Sequence, residues 1–314
     1  MKLRRRLYNC RLALNFANKF ARFKMKPFRS EFIQIRKLRY HVRHWGREDA
    51  PKIFMLHGWM DMSASFQFIV DCLQRDWHVI APDWRGFGLS EWSGNDTYWF
   101  PDYLADLEAI LKHYSPDSAV KLIGHSLGGN VASVYAVARP HRVEKLVSLE
   151  GGSLLESSPE QAPGRYAQWL DQDNDPPGLR TYAAQAEVAA RLQKNNPRLT
   201  DERAAFLAQH WSAQNEQGEW ALMADPAHRK ISPYLYRLDE VLSCWGAITA
   251  PVLMVVGEFP LLGLRMSDRK AGRAEIEFRT AAIPNSAIKT VAGAGHMLQH
   301  DQPEEVARLI EEFL

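Results

Sequence analysis

Lys121-Leu-Ile-Gly-His-Ser-Leu-Gly-Gly-Asn130 decides how this chain is read. Its lead-in, Ala119 to Ile123, is an apolar run of strand length, and Asn130 to Ala138 continues in small and branched apolar residues that suit a helix. Between them lies Gly124-His125-Ser126-Leu127-Gly128, so a G-x-S-x-G pattern stands in a strand–turn–helix context. A serine on so sharp a turn is held in a strained backbone conformation, and Gly124 and Gly128 leave room for strand and helix to approach. The helix that follows aims its first N–H groups at negative charge developing near Ser126 Oγ. Glycine and serine are common, so the bare pattern would say little. The flanking strand and helix make it a nucleophile turn rather than a glycine-rich connector.

Bulk properties bound what surrounds this turn. With 314 residues, 46 % hydrophobic and 24 % charged, the chain is long enough for one large α/β domain carrying an insertion. A formal net charge of +2 is too near neutral to argue for nucleic acid. Cys10, Cys72 and Cys244 are odd in number and lack C-x-x-C or metal-ligand spacing, which points to a reducing compartment, the cytoplasm, and to no disulfide framework. No apolar run approaches the roughly 20 residues of a membrane span. Nothing in the sequence speaks to oligomeric state.

The alternation of elements predicts the architecture. Phe32 to Trp45 reads as two antiparallel edge strands, and Lys52–Leu56, His78–Ala81 and Val143–Leu149 as central strands beside the one before Ser126. Helical spacing appears over Ser65–Arg75 and Tyr103–Tyr114. Such βαβ alternation predicts an α/β fold with a mostly parallel, doubly wound sheet. After Gly152 the composition changes. Ser157 to about Trp245 carries Pro159, Pro163, Pro176, Pro177 and Pro197 and no clear strand, with helical stretches at Arg165–Asp171, Tyr182–Lys194, Thr200–Gln214 and Pro233–Leu242, so an all-helical cap is expected. The sheet resumes at Pro251–Val256 and Ala287–Val291, and Pro303–Leu314 closes as an amphipathic helix. The domain expectation is a basic extension over 1–30, a core over 31–150, a cap over 151–246 and the rest of the core over 247–314. The first thirty residues hold ten lysines and arginines and no acid. They read as a loose extension with Met25 as an alternative start, or else as a basic amphipathic helix.

From about Ile53 to the C-terminus, these motifs resemble the α/β-hydrolase superfamily in its soluble esterase and epoxide-hydrolase-like branch. In that resemblance the base follows the last strand, where this chain has His296 in Gly293-Ala-Gly-His-Met-Leu298. One oxyanion donor is the N–H of Leu127, directly after Ser126. The second, by likeness to a family His-Gly motif, is the Trp59 N–H of His57-Gly-Trp-Met60, with His57 bracing the loop. The resemblance also makes Asp83 and Arg85 structural braces of a turn; His300, by its place before the final helix, reads as an ordinary helix-entry residue. The acid departs from the common pattern. It usually stands three residues past the glycine of the strand after the cap, and there the chain has Pro260. Some family members carry it at the end of the strand before the cap, where this chain has Glu150. Glu150 is the expected acid, with Glu258, Asp268 or no acid as alternatives. Eight tryptophans near these loops or in the cap, with Leu154, Leu155, Phe206 and Leu261, point to an apolar pocket.

Serine needs a positioned base near pH 7. The expected function is therefore a carboxylesterase-like serine hydrolase acting on a small, largely apolar substrate. Ser126 attacks, His296 moves the proton, Glu150 orients the imidazole, and Trp59 and Leu127 hold the oxyanion. No metal or organic cofactor is implied. A serine at this turn argues against epoxide hydrolase and dehalogenase chemistry, where relatives use aspartate. Thioester, lactone and carbon–carbon hydrolysis share the machinery. A non-catalytic ligand-binding protein on the same fold is the competing class.

Overall fold

Strand side chains alternate between two faces, and in this chain both faces are apolar. In the computed structural model, which describes residues 25–314, Phe54, Leu122, Leu146, Met254 and Val256 pack into one buried layer. Ile53, Met55, Ile123, Val147, Leu253 and Val255 pack into the other. A sheet apolar on both sides must be covered on both sides. Helices Phe100–Tyr114, Leu127–Ala138, Leu238–Gly246 and Arg269–Ala281 cover the first face, and Gln67–Cys72 and Pro303–Phe313 the second.

The strands in chain order are β1 (Phe28–Ile35), β2 (Leu38–Trp45), β3 (Lys52–Leu56), β4 (His78–Pro82), β5 (Val120–His125), β6 (Val143–Leu149), β7 (Thr181–Tyr182), β8 (Ser212–Gln214), β9 (Trp220–Leu222), β10 (Val252–Gly257) and β11 (Ser286–Val291). The main sheet runs β1-β2-β4-β3-β5-β6-β10-β11. β2 is antiparallel to both β1 and β4, and the pairings from β4 onward are parallel. The predicted doubly wound, mostly parallel sheet is therefore present. Its winding reverses between β3 and β5, and the crevice beyond the carboxyl ends of such neighbours is where open α/β sheets bind ligands. Ser126 follows β5 at that crevice.

The cap corrects the sequence reading. It is not all-helical: β7, β9 and β8 form a small antiparallel sheet among its helices. Strands of two or three residues are too short to show a period of two. Between β8 and β9 the Asn215 N–H donates to the Glu219 carbonyl at 2.8 Å, closing a tight loop with Gly218 at φ 81°. The cap's own core joins Tyr182, Val188, Leu192, Phe206, Leu207 and Trp211 to Met62 and Ala64 of the sheet domain. The expected Pro233–Leu242 helix lies instead at Leu238–Gly246, and Leu261–Arg265 and Arg269–Ala281 are helices the periodicity did not mark. At the amino end, β1 begins at Phe28, ahead of the expected boundary at 31. The amphipathic helix considered for the first residues lies outside the described ones. No described helix is long and apolar enough to cross a membrane.

Candidate active site

The turn after β5 is as tight as its glycines require. A Cβ on Gly128 would stand 2.1 Å from the Leu56 carbonyl oxygen, and one on Gly124 would stand 2.4 Å from that of Gly128. Strand and helix therefore meet backbone to backbone, which lifts Ser126 to φ 50° and ψ −112°. Its N–H donates to the Leu149 carbonyl at 2.8 Å, tying the turn to β6. Three of the five described non-glycine residues with positive φ lie on the loops meeting here: Met60, Ser126 and Glu150. Strain of this kind persists only where the surroundings impose it, and it gathers at functional sites.

The side chains of Ser126, His296 and Glu150 form one hydrogen-bonded line. His296 Nε2 lies 3.1 Å from Ser126 Oγ, and His296 Nδ1 lies 3.3 Å from Glu150 Oε2. The buried Glu150 carboxylate also accepts from the Gly257 N–H at 2.7 Å and the Leu261 N–H at 3.2 Å. A carboxylate held by N–H donors only accepts, so it faces a proton-bearing Nδ1, which leaves the Nε2 lone pair facing the serine. Burial first, then the neighbouring His125, pushes the His296 imidazole below its ordinary value against the pull of Glu150. It is therefore a neutral acceptor at pH 7.

The other candidate acids are engaged elsewhere. Glu258 accepts from the Gly293 N–H at 2.9 Å and lies 3.5 Å from the Arg269 guanidinium. Asp268 caps the Arg269–Ala281 helix through the Lys270 and Ala271 N–H groups. Pro260 stands at the N-cap of the Leu261–Arg265 helix.

The loop after β3 faces the turn, and a Cβ on Gly58 would lie 3.2 Å from that of Ser126. His57 braces this loop as the resemblance implied. Its Nδ1 donates to the Gly58 carbonyl at 2.7 Å and its Nε2 accepts from the Trp84 N–H at 2.8 Å. The backbone N–H groups of Trp59 and Leu127 donate to no protein acceptor among the described residues. The Trp59 indole donates to the carbonyl of His228 in the cap at 3.1 Å. The His228 ring is stacked between Phe87 and Tyr98, with centroids 3.7 and 3.6 Å apart. Backbone bonds from Gly88 to Met223 and from Asp225 to Gly86 stitch the same cap segment to the core.

Asp83 and Arg85 are structural. Asp83 holds His41 at 2.7 Å and receives the Ser63 and Leu89 N–H groups. Burial opposes its ionisation, yet His41 and these hydrogen bonds keep it well below the usual carboxylate range. Arg85 makes a bidentate pair with the buried Asp106. His300 is more than a helix-entry residue, since its ring is buried and meets Ser65 Oγ.

The apolar-pocket expectation needs correction as well. Trp84 and Trp245 belong to the sheet core and Phe206 to the cap core, because large rings are drawn into whichever core lies nearest. Trp211 lines a small gap under the cap with Met60, Met62 and Met223. Trp59, Leu154 and Leu155 remain exposed on the loops of the site.

Sequence reasoning passed over the residues that hold these loops. Asp301 accepts from the Gly295 N–H at 2.8 Å and from Asn196 of the cap at 2.7 Å, fixing the approach to His296. The buried Arg279 donates to the Gly152 and Leu154 carbonyls just beyond Glu150. Asp61 and His125 face each other beneath the turn. Their residue types were visible, but their meeting depends on the folded chain. No group of three or more described His, Cys, Asp or Glu residues is arranged to hold a metal ion.

A family model of the alpha/beta hydrolase fold matches residues 51–303, and the chain belongs to that family. A serine hydrolase-like protein of Danio rerio is 25 % identical over 279 residues, spanning 86 % of this chain and 83 % of its own. The AB hydrolase superfamily protein YfhM of Bacillus subtilis is 28 % identical over 315 residues, spanning 92 % and 99 %. Among solved structures, the thioesterase domain from the curacin biosynthetic pathway superposes with a TM-score of 0.77 at 22 % identity, over 91 % of this chain and 99 % of that one. That last likeness is one of fold alone.

Proposed function

We propose that this protein is a serine hydrolase that cleaves a carboxylic ester of a small, largely apolar substrate through an acyl-enzyme. The observation that carries the reading is the hydrogen-bonded line Ser126–His296–Glu150, with the serine on a strained turn at the sheet's crevice. In this reading Ser126 Oγ attacks the carbonyl carbon as its proton passes to His296 Nε2. The oxygen that becomes negative lies before the Trp59 and Leu127 N–H groups and the start of the Leu127–Ala138 helix. The new imidazolium is stabilised by Glu150, then returns its proton to the departing alcohol. Water repeats the sequence on the acyl-enzyme and frees Ser126.

The exposed Trp59, Leu154 and Leu155 on the site loops support an apolar acyl or alcohol part. Cys72 and Cys244 are free thiols, which suits the cytoplasmic placement. The test is turnover of p-nitrophenyl esters of graded chain length, beside thioesters and lactones, by wild type and Ser126→Ala. Ester turnover that the variant loses is expected. Turnover confined to thioesters or lactones would replace the substrate class. Ligand binding without turnover of any acyl compound would favour a binding protein on this fold.

A further inference from the structure

His125 touches all three parts of the site. It is the last residue of β5, directly before Ser126, and its Nε2 donates to the His296 main-chain carbonyl at 2.9 Å. The two rings lie 4.9 Å apart, tilted by 45°. On its other side passes the oxyanion loop, where a Cβ on Gly58 would stand 2.9 Å from His125 Nδ1. The same loop carries Asp61, whose Oδ2 lies 3.7 Å from that Nδ1. Both atoms are buried and without any hydrogen-bond partner among the described residues.

A carbonyl only accepts, so His125 Nε2 carries a proton. A neutral His125 would then present the Nδ1 lone pair to a carboxylate oxygen, setting two buried acceptors against each other. One further proton on Nδ1 turns that repulsion into attraction, an ion pair at 3.7 Å. The remaining titratable groups that face this pair do not carry the charge. Both nitrogens of His57 are used, one donating and one accepting, which makes it neutral. His300 meets Ser65 and is pushed by burial down to about 4. His296 keeps its Nε2 lone pair for the serine, and the Arg203 guanidinium is turned to the His300 carbonyl at 2.6 Å.

We propose that Asp61 and His125 form a buried carboxylate–imidazolium pair that locks the oxyanion loop to the base loop and sets a fixed positive charge beside the reacting atoms. Only its catalytic consequence rests on the serine-hydrolase reading. The charge resists protonation of the neighbouring His296 and favours the oxyanion that forms beside Ser126. Asp61 and His125 are positioning residues, because neither touches substrate.

Imidazole ¹⁵N shifts of histidine-labelled Ser126→Ala protein test the pair without turnover. A doubly protonated His125 at neutral pH is expected from the unpartnered Asp61 Oδ2 and His125 Nδ1, as is its conversion to the neutral form by Asp61→Asn in the same background. A neutral His125 in protein that retains Asp61 overturns the proposal, even if the Asn variant fails to fold. In otherwise wild-type enzyme, Asp61→Asn should lower kcat on the order of tenfold. It should also move the acid limb of kcat/KM up by about one pH unit, as the charge beside His296 is lost. A lower kcat with an unmoved limb would reduce the pair to a brace and refute the electrostatic role. Absence of all acyl turnover would count against the hydrolase reading and leave the ¹⁵N result standing.

Discussion

Glu150→Gln changes one oxygen to an amide nitrogen in a carboxylate that receives three donors: the Gly257 N–H, the Leu261 N–H and His296 Nδ1. A glutamine offers one acceptor oxygen. If it serves Gly257, the shortest of the three, the NH₂ group points at the Leu261 N–H and His296, donor against donor. The imidazole relieves this by moving its proton to Nε2, so that Nδ1 accepts from the amide. That tautomer presents Ser126 with an N–H instead of a lone pair, and the negative charge that steadied the imidazolium is gone as well. Loss of an orienting carboxylate at such a site lowers kcat by up to about 10⁴. We expect a fall of about 10²–10⁴, roughly 2.7–5.5 kcal/mol of barrier, with KM little changed because the interaction strengthens in the transition state. The assay is steady-state hydrolysis of an activated ester, with circular dichroism to confirm folding. Glu258→Gln, whose carboxylate serves Gly293 and Arg269, should stay within about threefold of wild type. Glu150→Ala combined with Pro260→Asp should recover part of the rate by supplying a carboxylate beside the Leu261 amide. A crippled Glu258→Gln with a mild Glu150→Gln would refute the reasoning.

Because burial and His125 hold His296 below the ordinary imidazole value of 6.5, and the base acts unprotonated, kcat/KM should be level above that pKa and fall below it. A pH–rate profile with its acid midpoint below 6.5 agrees, and a midpoint above about 7 contradicts. His228→Ala removes the ring held between Phe87 and Tyr98 and frees the cap segment that receives the Trp59 indole. Thermal or urea unfolding should show a loss of about 2–4 kcal/mol, and an unchanged transition would show that the cap is held elsewhere. Lys26 is anchored, its N–H to Asp71 and its ammonium to the Leu73 carbonyl. A protein starting at Met25 should accordingly keep both turnover and melting temperature, and loss of either would assign the preceding residues a part in the fold.

The residues of the hydrogen-bonded line were legible because their chemistry is narrow. A nucleophilic serine needs close-packed glycines around its turn, and with Pro260 at the common acid position the resemblance pointed to the carboxylate of Glu150 at the end of β6. The line's supports were not legible. Asp61 and His125 are distant in sequence, and an isolated histidine or aspartate carries no mark of the partner it meets. Tryptophan size foretold burial but not the place: Trp84 and Trp245 went to the sheet core, whereas Trp59, Trp92 and Trp99 stayed half exposed. The cap's strands were hidden by their length. The Arg269–Ala281 helix carried its signal in Asp268, whose side chain accepts from two N–H groups of the first turn.

The central claim is that Ser126 is a nucleophile activated by His296. Wild-type protein treated with a fluorophosphonate probe, digested and sequenced by mass spectrometry tests it directly. The account predicts a single adduct on the peptide containing Ser126, absent from Ser126→Ala and slowed in His296→Ala. No adduct, or an adduct on another serine that survives Ser126→Ala, would contradict it.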